Sequence, residues 1–243
     1  MPTTVPAASV RVWDLPTRLF HWALVVAVSG ALATAWIPGA PIEWHARFGY
    51  AILSLLVFRL AWGLVGGYWS RFAAWRPTPA RLAAYLRGQP HPDDRIGHSP
   101  LGTLSVIVIL LTLAAQVGTG LVGDDEIAFT GPLNRFVSTA TGLAATAWHK
   151  DLGKLLVIGL IALHVSAILF YLLVRRNNLI APMIHGDKPV EAAAAQRDAE
   201  PPGDEHLTAT CDDRRTRLLA LVLAALSAGG VWWLVRLGTA ASY

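Results

Sequence analysis

The stretch WHKDLGKLLVIGLIALHV, Trp148–Val165, carries most of the information about the fold. After a short charged opening it runs apolar without a break, and a histidine stands near each end. Continued to Val174, the run from Leu152 is long enough to cross a bilayer, which takes about 20 apolar residues. Similar runs occur at Phe20–Ile37, Ala51–Val65 with its flanks, Leu101–Val122 and Leu218–Leu234. The second of these carries Arg59. In hydrocarbon the backbone must satisfy its own hydrogen bonds, so the runs are helices. The expected fold is an all-α membrane protein: a four-helix transmembrane bundle with an additional C-terminal transmembrane helix.

Composition agrees. Of 243 residues, 54% are hydrophobic and only 15% are charged, against roughly 25% charged in soluble domains. The net charge of +4 is no sign of nucleic-acid binding, because the basic residues flank the spans. Arg71, Arg76, Arg81, Arg87 and Arg95 share one loop, Arg175, Arg176 and Lys188 follow the fourth span, and Arg11 and Arg18 precede the first. The Pro38–Trp44 loop has no Lys or Arg, and Gly123–Thr146 has only Arg135 beside Asp124, Asp125 and Glu126. The positive-inside rule then places the N-terminus of this multi-pass chain in the cytoplasm and both poorly charged loops outside. Ala31-Leu32-Ala33 imitates a signal-peptide cleavage site. The apolar stretch is longer than such peptides carry, and cleavage would discard His21, so the span is expected to be retained. Cys211 stands alone and can form no internal disulfide.

Three segments follow from this pattern: residues 1–188 as the transmembrane bundle, 189–217 as a polar, flexible cytoplasmic linker, and 218–243 as the fifth span with a short tail. Trp36, Trp44, Trp62, Trp69 and Trp148 lie near span ends, as interfacial aromatics do.

Histidine inside a membrane marks function, and imidazole is a common haem ligand. Fifteen helical residues rise about 22 Å and turn roughly 60° past whole turns. His149 and His164 therefore share a helix face at opposite depths. His45 matches the depth of His149, and His21 that of His164. Each pair could supply both axial ligands of one b-type haem, so two haems stacked across the membrane are expected. Gly49 and Gly153 each lie four residues after a histidine and would let a flat ring approach the helix. Arg59, about 21 Å deeper than His45, is placed to pair with a propionate of the inner haem; the alternative is snorkelling to the headgroups. His91, His98, His185 and His206 read as solvated loop residues, with His98 the alternative ligand.

The runs VWDLPTRLFHW (Val12–Trp22), WHARFGYAILSLLVFRLAWG (Trp44–Gly63), GHSPLG (Gly97–Gly102), WHKDLGKLLVIGLIALHV and LLVRRNNLIAPMIHGDK (Leu172–Lys188) together resemble the bacterial cytochrome b561 family, which includes the b-type cytochrome subunits of nickel–iron hydrogenases. The resemblance covers Arg11 to Lys188. It implies a four-helix bundle with two b haems on His21, His45, His149 and His164, embedded in membrane lipid. Residues from Pro189 onward fall outside it.

The function expected is electron transfer across the inner membrane between a periplasmic cytochrome c or other redox subunit and the quinone pool. One rival is a superoxide or quinone oxidoreductase working at the haem edge, with Lys150, Asp151, Lys154 and Gln116 as candidate quinone contacts. Another is a membrane-anchor cytochrome b subunit of a hydrogenase-like complex, docked through Asp124, Asp125 and Glu126. A haem-free transporter leaves the paired histidines unexplained.

Overall fold

The computed structural model describes residues 9–239 except 76, 90, 92, 128 and 190–208. Strand β1 (Ser9–Arg11) precedes helices α1 (Leu15–Trp36) and α2 (Ile42–Val65). The short helices α3 (Pro79–Leu86) and α4 (Asp93–Ile96) lead into α5 (Pro100–Val122). Helix α6 (Thr139–Trp148) runs through a π-helical turn at His149–Gly153 into α7 (Lys154–Leu173). Helix α8 (Ile180–His185), strand β2 (Asp187–Pro189) and helix α9 (Arg214–Thr239) complete the chain. Among the described residues, five helices are long and apolar enough to cross a membrane: α1, α2, α5, the α6–α7 rod and α9.

Each boundary has a local cause. Asp14 caps α1 by accepting from the Thr17 amide at 2.8 Å, with a proline in the first turn. Ser99 caps α5 in the same way, again followed by proline. Proline in a first turn forfeits no helical hydrogen bond. The α6–α7 rod has 35 residues, about 52 Å of helix, against a hydrocarbon core of about 30 Å. The Gly123–Thr146 segment, expected as loop, is thus partly helical from Thr139. The small, mildly polar residues TATGLAATAW gave no run of hydropathy to announce it.

The bundle core is one apolar cluster of Ala27 and Val28 from α1, Ile52 and Leu56 from α2, Leu113, Val117 and Leu121 from α5, and Val157 from α7. Large side chains on the outer faces, including Leu64, Leu111, Leu155, Leu163 and Leu173, remain exposed, as lipid-facing residues must. Helix α9 lies chiefly along α2, and its Ala220 joins Phe20, Phe58 and Trp62 in a second cluster.

The N-terminal face is tied together by polar contacts. Strand β1 pairs antiparallel with β2, with Ser9 opposite Pro189, Val10 opposite Lys188 and Arg11 opposite Asp187. Arg11 also donates to Asp212 at 3.0 Å. Thr210 donates its amide to the Arg11 carbonyl at 2.8 Å and its hydroxyl to that of Val12 at 2.9 Å. The segment expected as linker to residue 217 is therefore docked from Thr210 and helical from Arg214. The remainder of that expectation, 190–208, lies outside the described residues.

At the centre of this face, the fully buried Asp14 accepts from the Ser70 hydroxyl at 2.9 Å, the Gly67 amide at 3.2 Å and the Trp62 indole at 3.3 Å, besides Thr17. One carboxylate thus joins the start of α1 to the end of α2 and the turn beyond it. The multiple donors replace the water that burial removes.

Candidate haem sites

On the face away from the N-terminus, His45 projects from the first turns of α2 and His149 from the π-turn. Their ring centroids are 5.9 Å apart, with the planes at 79°. The Nδ1 of His45 lies 3.0 Å from the Ala31 carbonyl oxygen, and that of His149 lies 2.8 Å from the Gln116 carbonyl oxygen. A carbonyl oxygen only accepts, so each Nδ1 carries the proton and each Nε2 keeps a free lone pair. A backbone carbonyl behind a histidine is the usual device that fixes a metal-binding imidazole. Imidazole binds transition metals at about 2 Å, which puts two axial rings on one ion roughly 6 Å apart between centroids. The observed pair fits one iron between them.

The π-turn has a geometric consequence. It holds one residue more than an α-turn, so the fifteen residues from His149 to His164 advance like about fourteen. The second ring then lies roughly 40° to one side of the common face instead of 60° to the other. Both histidines keep the inward face of the rod. Gln116 stabilises this turn: its side-chain amide donates to the His149 carbonyl oxygen at 3.0 Å, while its own carbonyl takes the Nδ1 proton. Thr119 adds a hydroxyl 3.3 Å from the same Nδ1.

The two glycines differ. A Cβ on Gly49 would meet nothing within 4 Å, so the space one turn from His45 is open, as a flat ring needs. A Cβ on Gly153 would run into Gln116 and Trp148. That glycine makes room for the clamp on His149, and its side of the helix is already filled by protein.

Toward the N-terminal face, His21 on α1 and His164 on α7 are close enough to interact electrostatically. The Nδ1 of His21 is shielded from solvent and lacks a hydrogen-bond partner. Histidines thus gather in twos; among the described residues no group of three or more His, Cys, Asp or Glu forms a metal cluster. Paired axial ligands with a macrocycle in the plane match that arrangement, whereas a metal held by side chains alone needs more donors.

Arg59 is only 4% exposed, so it does not snorkel. Its Nη1 donates to the Ser70 carbonyl oxygen at 3.0 Å, and its guanidinium lies 5.1 Å from the Phe72 ring centre and 5.0 Å from that of Trp75. His98, expected as a solvated loop residue, instead packs between Trp13 at 4.6 Å and Trp75 at 5.4 Å. Burial, with the charges of Arg59 and Lys188 adding to it, pushes the His98 ring down to about 3, so it is neutral. Hydropathy placed it in a polar loop; the aromatic neighbours that bury it come from distant segments.

Among the candidate quinone contacts, Gln116 is committed to His149, and Lys150 pairs with Asp125 at 3.7 Å. Asp125 also accepts from the amides of Ile127 and Phe129, and Asp124 from that of Glu126. Much of the acidic loop's charge thus shapes the loop itself. The sequence pointed to Gln116 as a quinone contact and not as the partner of His149, and it did not single out Asp14 or Trp75. Only Asp14 had a signal, as an aspartate just before Leu-Pro at a helix start.

Residues 12–186 match the family model described as prokaryotic cytochrome b561. The chain belongs to the prokaryotic cytochrome b561 family. Among its relatives is the "Probable Ni/Fe-hydrogenase B-type cytochrome subunit" of Azotobacter vinelandii, 24% identical over 211 aligned residues that cover 73% of this chain and 88% of the relative. The corresponding hydrogenase 1 subunit of Escherichia coli K12 is 21% identical, covering 72% and 88%. That of Cupriavidus necator is also 21% identical, covering 72% and 85%. No solved structure matches. Membership makes this a multi-pass bacterial membrane b-type cytochrome that works in electron transfer and carries haem b. The matched span begins at Val12, just before the Asp14 cap, and ends at Gly186. Helix α9 lies beyond it.

Proposed function

We propose that this cytochrome holds two b haems, one between His45 and His149 and one between His21 and His164, and carries electrons across the inner membrane between a periplasmic redox partner and the quinone pool. The observation that carries the reading is the His45–His149 pair: two rings 5.9 Å apart, each with Nδ1 bound to a backbone carbonyl and Nε2 left to ligate. Bound haem supplies reversible one-electron chemistry. The chain's part is to hold two axial imidazoles at each site, which closes the metal to small molecules, and to exclude water with the apolar bundle core. The two sites are separated by about 21 Å along α7. The charge asymmetry of the loops supports a cytoplasmic N-terminus, with the His45–His149 site toward the periplasm. On this reading Arg59 offsets a propionate of the inner haem.

The decisive experiment is haem quantification with reduced-minus-oxidised spectra on detergent-purified protein. Wild type should hold two b haems per chain, and His149→Ala about one. Folded wild-type protein with a single haem, or a variant that keeps both, refutes the assignment. The relatives named as hydrogenase subunits favour a second reading, in which the partner is a hydrogenase-like complex anchored by this chain. Co-purification of a periplasmic redox subunit with the tagged chain would support it, and isolation of the chain alone from mild detergent would oppose it.

A further inference from the structure

The indole of Trp75, the imidazole of His98 and the guanidinium of Arg59 gather on the N-terminal face with fewer partners than their nitrogens call for. The Nε1 of Trp75 and the Nδ1 of His98 are shielded from solvent and have no hydrogen-bond partner. Their rings lie 5.4 Å apart, and the Arg59 guanidinium lies 5.0 Å from Trp75. Arg59 forms no ion pair among the described residues. The carboxylate that acts on it electrostatically, Asp14, is already taken by Thr17, Trp62, Gly67 and Ser70.

Folded proteins seldom leave buried donors unpaired, and a buried guanidinium without a counter-ion is costly. Indole Nε1 donates only, and guanidinium cannot accept. A guest at this point must therefore bring several acceptor oxygens and negative charge. His98 also interacts electrostatically with His164, which sets the cluster at the edge of the inner histidine pair. A porphyrin held there presents two propionate carboxylates at its rim.

We propose that Trp75 and His98, together with Arg59, form a carboxylate clamp for the propionates of the haem held by His21 and His164. Arg59 supplies the charge and the Trp75 N–H fixes the direction of the carboxylate, with His98 donating beside it in its Nδ1–H tautomer. The short turns from Gly67 to Trp75 then serve as the rim of the inner site, with Ser70 orienting Arg59 and Asp14 orienting Ser70. The clamp rests on the two-haem reading.

The test measures haem content, the midpoint potential of each haem and the low-frequency propionate bending bands by resonance Raman spectroscopy. Wild type, Trp75→Phe, His98→Phe and His21→Ala are compared. Trp75→Phe keeps an aromatic side chain but removes the N–H together with the pyrrole half of the indole, and the fold should persist. The propionate band of one haem should shift and its potential fall, with His98→Phe affecting the same haem. Two haems retained, with bands and potentials unmoved in both ring variants, overturn the clamp alone. Haem content in His21→Ala equal to wild type overturns the inner site itself, and the clamp with it.

Discussion

Replacing Gln116 by Leu removes the donor that holds the His149 carbonyl at 3.0 Å but leaves a side chain of similar size beside Gly153. In a π-turn the α-helical ladder gives way to i→i+5 bonding, and this carbonyl is also held by a side chain from α5. A buried acceptor left without its donor costs about 1–3 kcal/mol. His149 is half-buried, so the lower part of that range applies, about 1–2 kcal/mol, or a factor of roughly 5–30 in the equilibrium that holds the turn. When the turn relaxes to regular helix, His149 swings by about 100°, one residue's worth of rotation, and leaves its place beside His45. The variant should therefore lose a large part of one haem and keep the other. Haem-to-protein ratios and low-temperature difference spectra after gel filtration read this directly. Full haem content with unaltered spectra in a folded Gln116→Leu protein would refute the reasoning. Gln116→Glu should behave like the leucine variant, because an ionised carboxylate cannot donate to a carbonyl.

The near-perpendicular His45 and His149 planes should give the outer haem a strongly anisotropic low-spin EPR signal, lost selectively in His149→Ala; a signal typical of parallel rings would contradict the geometry. Asp14→Ala removes both a helix cap and the acceptor for buried donors from α2, at about 2–4 kcal/mol. It should appear as a large drop in thermal stability in detergent, with Asp14→Asn milder. Asp212 joins Arg11, Arg18 and Arg217. Burial raises its carboxyl pKa, but the hydrogen bond and charge of Arg217, with the Leu15 amide and Arg11, outweigh this and hold it below the usual range. A depressed carboxyl stabilises the folded form fully above the ordinary carboxylate range and loses that contribution as pH falls through its folded value. Acidification should hence loosen the docked end of the C-terminal extension, seen as faster proteolysis before α9. Asp212→Asn should show that cleavage already at neutral pH, and equal rates in both proteins would count against the latch.

The spans and their number were legible in the sequence alone, and the histidines stood out within them. The reason is that the bilayer acts as a uniform apolar solvent. Hydropathy adds up residue by residue along each helix, and a polar ring in such a run stands out against it. The hydropathy run from Phe20 missed the start of α1 at Leu15, although the Asp-Leu-Pro signal for it lies in the sequence, since capping is a contact between near neighbours. Helix phase and cross-chain contacts were not legible. Nothing in WHKDLG announces the π-turn, because it depends on Gln116 reaching over from α5. Gly153 looked like a seat for a porphyrin until its neighbours were known, while Gly49 kept its open space. His98 and Trp75 belong to segments whose polarity suggests solvent, and only the folding of the Gly67–Trp75 turns against Trp13 and Arg59 buries them. The packing of α9 against α2, and the latch at Asp212, were likewise decided by tertiary structure. Lipid is as apolar as leucine, so hydropathy alone cannot tell a helix that faces the bundle from one that faces the membrane.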